Sequence, residues 1–246
     1  MRINIFKTSA QMGEAAAKFI ADKLNAAISE QGFARLLLST GASQFDMISS
    51  LVTQDVDWSR VTMFHLDEYV GLPETHIASF RKYLKERFAS KVNLKEAVYV
   101  DGEGDTGENI AYITKRIKEA PIDVAAIGIG ENGHIAFNDP PADFDTQESY
   151  IIVNLDERCK RQQVGEGWFA TVDDVPRQAI SMTVSQMLKS RCIVSVVPHA
   201  VKAEAIRNTL AQEVNNMVPA TILKTHPDWN LYLDKNSAKL FAVLPE

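Results

Sequence analysis

Apolar residues Met12, Ala16, Phe19, Ile20, Leu24, Ala27 and Ile28 lie on one face of a helix, so the spacing predicts a helix over Met12–Ile28. Arg2–Phe6 before it is short and rich in β-forming residues. After it come the apolar run Leu36-Leu37-Leu38, the small polar turn Ser39-Thr40-Gly41-Ala42-Ser43, and a helical pattern from Gln44 to about Val52. Strand-like segments follow at Val61–Leu66, Ala97–Val100, Ile122–Ile129, Cys192–Val197 and Leu231–Leu233. Helical patterns separate them at Phe80–Phe88, Glu108–Ala120 and His199–Leu210. Strand then helix, repeated over short connections, predicts an α/β chain: a single-domain open, mainly parallel sheet with helices on both faces, a Rossmann-like three-layer arrangement.

No internal repeat, low-complexity tract or Pro/Gly-rich linker divides the chain, so residues 1–246 read as one domain. Asp139–Thr146 reads as a long irregular loop, and Asp156–Pro176, dense in charge and Gly, as a second mobile element. A domain of 246 residues buries about 75% of the surface its unfolded chain exposes and needs no staples. Its two cysteines, Cys159 and Cys192, form no CxxC pair and read as reduced thiols. No apolar run approaches the roughly 20 residues of a membrane span, and the first residues lack the apolar core of a signal peptide. The expected location is the cytoplasm. A net charge of −6 without an extended basic block argues against nucleic acid as a partner. An anionic small molecule remains compatible, since a helix N-terminus and one or two local cations hold a phosphate on an acidic background.

Ligands of open parallel sheets bind at the carboxyl ends of the strands, where three segments carry chemistry. Ser39-Thr40-Gly41-Ala42-Ser43 offers hydroxyls and a glycine that admits close backbone approach; it reads equally as a phosphate cradle or as a helix cap on Ser43. Asp67 and Glu68 follow the strand at Val61–Leu66; in extended chain they alternate sides, and one of them suits a general base. His65 and Asp67 share a face, but no third ligand stands at a metal-like spacing, so no metal is expected. Gly128-Ile-Gly130-Glu-Asn-Gly133-His134 completes GxGxxG, yet no long helix follows it, which argues against a dinucleotide. His134 suits a proton shuttle because imidazole titrates near neutrality, with Glu131, Asn132 and Asp139 nearby to orient it.

Phe64-His-Leu-Asp-Glu-Tyr-Val-Gly71 and Gly128-Ile-Gly-Glu-Asn-Gly-His-Ile-Ala-Phe-Asn-Asp-Pro140 resemble, in sequence and spacing, the two signature segments of glucosamine-6-phosphate deaminases/isomerases. The likeness runs from the first strand to about Leu233. It implies that Asp67 moves a proton between C2 and C1 of a hexosamine 6-phosphate, and that His134 opens the sugar ring. It further implies that Asn132 and Asp139 assist His134, at positions where such enzymes mostly carry acids. Ser39–Ser43 and Lys202 would hold the phosphate, with Arg158 or Arg161 as second cation and Glu68 and Gly133 beside the substrate. No metal or organic cofactor is needed for this chemistry. The segment Asp145–Tyr150 has no Lys or Arg where activated members carry basic residues, so activation by an N-acetylated sugar phosphate is not expected. Two other readings compete: a 6-phosphogluconolactonase, which shares the fold and the glycine–histidine loop but needs no C2 base, and a non-catalytic sugar-phosphate sensor. Oligomeric state stays open, a homo-oligomer included.

Overall fold

The computed structural model describes residues 1–241. In chain order it forms β1 (Arg2–Phe6), α1 (Ser9–Gln31), β2 (Ala34–Leu38), α2 (Phe45–Leu51), β3 (Val61–His65), β4 (Asp67–Tyr69), α3 (Phe80–Leu84), β5 (Glu96–Val98) and α4 (Thr106–Ile117). The second half forms β6 (Val124–Ala126), β7 (Tyr150–Asn154), α5 (Glu157–Gly165), β8 (Gln178–Met182), α6 (Val184–Met187), β9 (Cys192–Val197), α7 (Ala203–Ala211), β10 (Trp229–Asp234) and α8 (Lys235–Ala238).

Seven strands make one parallel sheet in the order β1-β10-β9-β6-β2-β3-β5. β2, β9 and β10 are buried along their whole length, as parallel strands covered on both faces must be. Alternation in β2 sends Leu36 and Leu38 to one face, against Met12, Ile20 and Leu24 of α1 and Met47 and Leu51 of α2. Leu37 meets the opposite face, where Ile113 and Ile117 of α4 and Ile206 of α7 pack. Local signals set the longest helix: Thr8 caps α1 by accepting from Gln11 N–H, and Gly32 ends it in the left-handed region at φ 83°. The expected open parallel sheet with helices on both faces is what the chain forms.

Several elements differ from the pattern-based expectation. Of Ile122–Ile129 only Val124–Ala126 is strand, because the chain leaves the sheet at Ile127 to build the glycine loop. The Phe80–Phe88 helix divides into α3 and a π turn over Lys85–Ala89. Asp156–Pro176 contains the ordered helix α5, started by Asp156 accepting from Cys159 N–H. A second, antiparallel sheet, β4-β8-β7, has no counterpart in the sequence reading.

That second sheet decides where the acids after β3 point. It is seated on the end of β3 by Met182 N–H donating to Leu66 O at 3.0 Å and by the Tyr150 hydroxyl donating to His65 O at 2.8 Å. Within β4, Glu68 turns into the protein and its carboxylate collects donors at the start of α3. Arg81 N–H donates at 2.8 Å, Phe80 N–H at 3.2 Å and the Ser79 hydroxyl at 3.0 Å. Arg81 Nε adds a fifth contact beside Tyr69 N–H, and the rest of its guanidinium reaches Asp101 and Glu103. Glu68 therefore pins β4 to α3. Replacing Glu68 with Ala leaves three backbone N–H groups and the Ser79 hydroxyl without their acceptor and removes the buried one of the three carboxylates around Arg81, and urea unfolding should show a loss of about 3–5 kcal/mol. A loss under 1 kcal/mol would mean the cage is dispensable.

Candidate active site

The strand order reverses direction between β2 and β6, so their outgoing loops part and leave a crevice at the carboxyl ends. Ser39 bridges the two loops: its N–H donates to Ala126 O at 3.0 Å, and its hydroxyl accepts from Gly128 N–H at 3.2 Å. Gly41 adopts φ 102°, which a side chain disfavours, and so turns the chain across the end of β2. Ser43 does not cap α2; its hydroxyl accepts from Gln44 Nε2 at 2.9 Å. Ser39, Thr40, Gly41, Ala42 and Ser43 line a cavity of about 210 Å³ together with Asp67, His134 and Lys202.

His134 is placed by its own loop. Gly130 N–H donates to His134 O at 2.9 Å, and His134 N–H donates to Asn132 Oδ1 at 3.0 Å. The imidazole lies directly over Gly130, where an added Cβ would stand 2.2 Å from Nε2. Behind the ring, Asp139 Oδ1 is 2.9 Å from His134 Nδ1, within ion-pair distance. The Asn132 amide donates to the same oxygen at 2.9 Å. Burial works against ionisation of Asp139, but His134, Asn132 and the Cys159 thiol outweigh it and hold the carboxyl below its ordinary range.

Asp67 is in the opposite condition. Burial and the neighbouring Glu68 push its carboxyl well above the usual range, and no hydrogen bond offsets them. Lys202 lies at the turn into α7, 7% exposed, with no ion-pair partner within 4 Å among the described residues. Burial lowers its affinity for a proton, against the pull of Glu166 and Glu131.

The structure thus brings Ser39–Ser43, Asp67, His134 and Lys202 to one cavity. Asn132, Asp139 and Gly133 stand behind it; Gly133 is turned outward at φ 85°, its carbonyl accepting from Ala220 N–H at 2.8 Å. Four expected substrate contacts do not line the cavity: Gly133, already placed behind it, Glu68, Arg158 and Arg161. Glu68 faces away because successive residues of a strand alternate sides. Arg158 and Arg161 are exposed on α5 and line a neighbouring depression that shares Glu131, Gln162 and Glu166 with the cavity. The inner side of α5 and the turn after it supply residues that the sequence reading passed over: Gln162, Gln163, Glu166 and Trp168. His199 also lines the wall, at a strained φ of 76°. The signal available for α5 was its cap, Asp156, with Cys159 and Gln163 four apart on one face.

Residues 7–231 match the family described as glucosamine-6-phosphate isomerases/6-phosphogluconolactonase. The chain is 32% identical over 241 residues to a glucosamine-6-phosphate deaminase of Streptococcus pneumoniae, covering 98% of this chain and 100% of that one. It is 36% identical over 229 residues to one of Staphylococcus epidermidis, covering 89% and 93%. Among solved structures, a monomeric glucosamine-6-phosphate deaminase superposes with a TM-score of 0.88 at 26% identity, covering 98% and 100%. A 6-phosphogluconolactonase from Trypanosoma brucei shares the fold, with a TM-score of 0.81 at 15% identity and 98% coverage of both chains.

Two outcomes follow from this geometry. Held above its unfolded-state value, Asp67 contributes stability below the unfolded carboxylate pKa of about 3.9, and that contribution is lost as pH rises through its folded pKa. Asp67→Asn should therefore melt higher than wild type at pH 7, by about 2–4 °C for each 1 kcal/mol relieved, with the gap closing below about pH 4. An unchanged Tm at both pH values would refute the strained carboxylate. Gly130→Ala should displace the imidazole; in NMR the His134 ring resonances shift while the melting temperature falls by less than about 4 °C.

Proposed function

Since the chain belongs to the family of glucosamine-6-phosphate isomerases and 6-phosphogluconolactonases, we propose that it acts on a hexosamine 6-phosphate, converting it to the ketose 6-phosphate and ammonia. The observation that carries this reading is that Asp67, a buried carboxylate without donors, lines the same cavity as the anion-compatible Lys202 and the loop Thr40–Ser43. Lactone hydrolysis needs no base at C2 of the sugar; deamination through an enolamine does.

The substrate's phosphate is held by Lys202 and by the hydroxyls and N–H groups of the turn after β2. A dianion restores to Lys202 the charge partner that burial withholds from it. His134 moves the proton that opens the pyranose ring, and Asp139 stays ionised to stabilise the imidazolium formed in that step. Asp67 then removes the C2 proton, giving an enolamine, and returns a proton to C1. Water adds to C2 of the resulting imine and ammonia leaves, so one water is consumed for each ammonia released. The raised proton affinity of Asp67 brings its strength closer to that of a carbon acid than an ordinary carboxylate would be.

The test is ammonia release from glucosamine, galactosamine and mannosamine 6-phosphates, with 6-phosphogluconolactone hydrolysis run in parallel. At least one amino sugar should turn over, and kcat/KM should fall on the acid side with a midpoint above the ordinary carboxylate value of about 3.9. Asp67→Asn should lower kcat by about 10²–10⁴-fold and leave the affinity for inorganic phosphate within about tenfold. Lactone turnover with silence on every amino sugar would sink the proposal.

A further inference from the structure

Tyr69 is fully buried among the rings of Phe80, Phe137 and Phe169. Its hydroxyl has one partner, Oε1 of Gln163 on α5, at 2.8 Å. Burial holds the phenol protonated, so the hydroxyl must donate. Were the Gln163 amide turned the other way, the phenol proton would be buried without an acceptor, a worse arrangement than the one observed. The amide orientation is therefore fixed by Tyr69: oxygen toward the phenol, Nε2 away from it.

That leaves two N–H donors to account for. Gln163 is 7% exposed and lines the cavity, and its Nε2 donates to no acceptor among the described residues. The neighbouring amide behaves differently: Gln162 Nε2 is engaged by Glu166 Oε1 at 2.8 Å. Nε2 is thus the part of this otherwise buried side chain that opens to the cavity, with its donors free for a ligand oxygen. Its place along the cavity follows from β4, where Asp67 and Tyr69 are two residues apart and send their side chains to the same side of the strand. The free donors of Gln163 thus stand on the base's side of the cavity.

We propose that Gln163 is a substrate-binding residue whose Nε2, oriented by Tyr69, donates to the carbonyl oxygen at C1 of the open-chain sugar phosphate. The proposal rests on the deaminase reading above. When Asp67 removes the C2 proton, negative charge develops on that oxygen, and a preoriented donor there strengthens its bond as the reaction proceeds. The helix α5 accordingly supplies a contact at the reacting end of the sugar, and the exposed Arg158 and Arg161 are not part of that contact.

The experiment compares wild type, Gln163→Met, Tyr69→Phe and the double variant. It reads kcat/KM for ammonia release, the Kd of fructose 6-phosphate and of inorganic phosphate, and the melting temperature. Gln163→Met should lose about ten- to a hundredfold in kcat/KM and several-fold in fructose 6-phosphate affinity, with inorganic phosphate unchanged within about threefold. Tyr69→Phe, which frees the amide to flip, should fall between wild type and Gln163→Met, and the double variant should be no worse than Gln163→Met alone. Wild-type kcat/KM in folded Gln163→Met, or an equal loss of phosphate and sugar-phosphate binding, would overturn the assignment. If Gln163→Met does not fold, wild-type activity in Tyr69→Phe does the same. Absence of ammonia release from the wild type refutes the deaminase reading itself. The ratio of fructose 6-phosphate to phosphate affinity then still decides Gln163, and an unchanged ratio in Gln163→Met counts against it.

Discussion

A carboxylate taken out of water must find donors or hold its proton more tightly; burial raises the proton affinity of both adjacent acids after β3, and only Glu68 has donors that offset part of it. Glu68 is surrounded by backbone N–H groups, a hydroxyl and the Arg81 guanidinium. Asp67, on the other side of the same short strand, has no such donor, and the charge of Glu68 beside it adds to its reluctance to ionise. The cage around Glu68 is thus part of what makes Asp67 basic. It anchors β4 to α3, which fixes where Asp67 points, and it places a charge next to it that raises its proton affinity.

The support of His134 shows a related economy. Asn132 uses both ends of its amide, accepting from the His134 backbone N–H and donating to Asp139. An acid at this position would accept from the backbone equally well, but it would face Asp139 with a like charge and no proton to give. The amide adds to the hold of the imidazole on a short carboxylate 2.9 Å away, and together they keep Asp139 ionised. The departure at residue 132 from the mostly acidic pattern of such enzymes is therefore compensated locally by the hydrogen bond to Asp139.

The parallel sheet was legible because its strands are covered on both faces and read as unbroken apolar runs, Leu36–Leu38 and Cys192–Val197 being the plainest. From it followed the convergence of Ser39–Ser43, Asp67, His134 and Lys202, since each stands just beyond a strand. The antiparallel sheet was hidden for the converse reason. β4 is three residues long and includes two acids, and its pairing with β8 joins Asp67 to Ser181, more than a hundred residues away. No local pattern encodes such a contact. Helix α5 was hidden by composition: its buried residues are Cys159 and Gln163, so the inward stripe carries no large apolar side chain. Arg158 and Arg161 lie off that buried stripe, in a depression that adjoins the cavity through Gln162 and Glu166. At 100° per residue they cannot share the face that Gln163 presents to Tyr69.

Helix α5 also connects the two halves of the site. Cys159 on its first turn lies against Asp139, the carboxylate behind His134, and Gln163 one turn later holds Tyr69, two residues from Asp67. Both contacts are polar and short-range, which makes them sensitive to the helix position in a way that an apolar stripe would not be. An apolar face tolerates a small slide with little loss; a hydrogen bond to a buried phenol does not. The polar character that concealed α5 in the sequence is thus the property that registers it against Asp139 behind His134 and against Tyr69 beside Asp67.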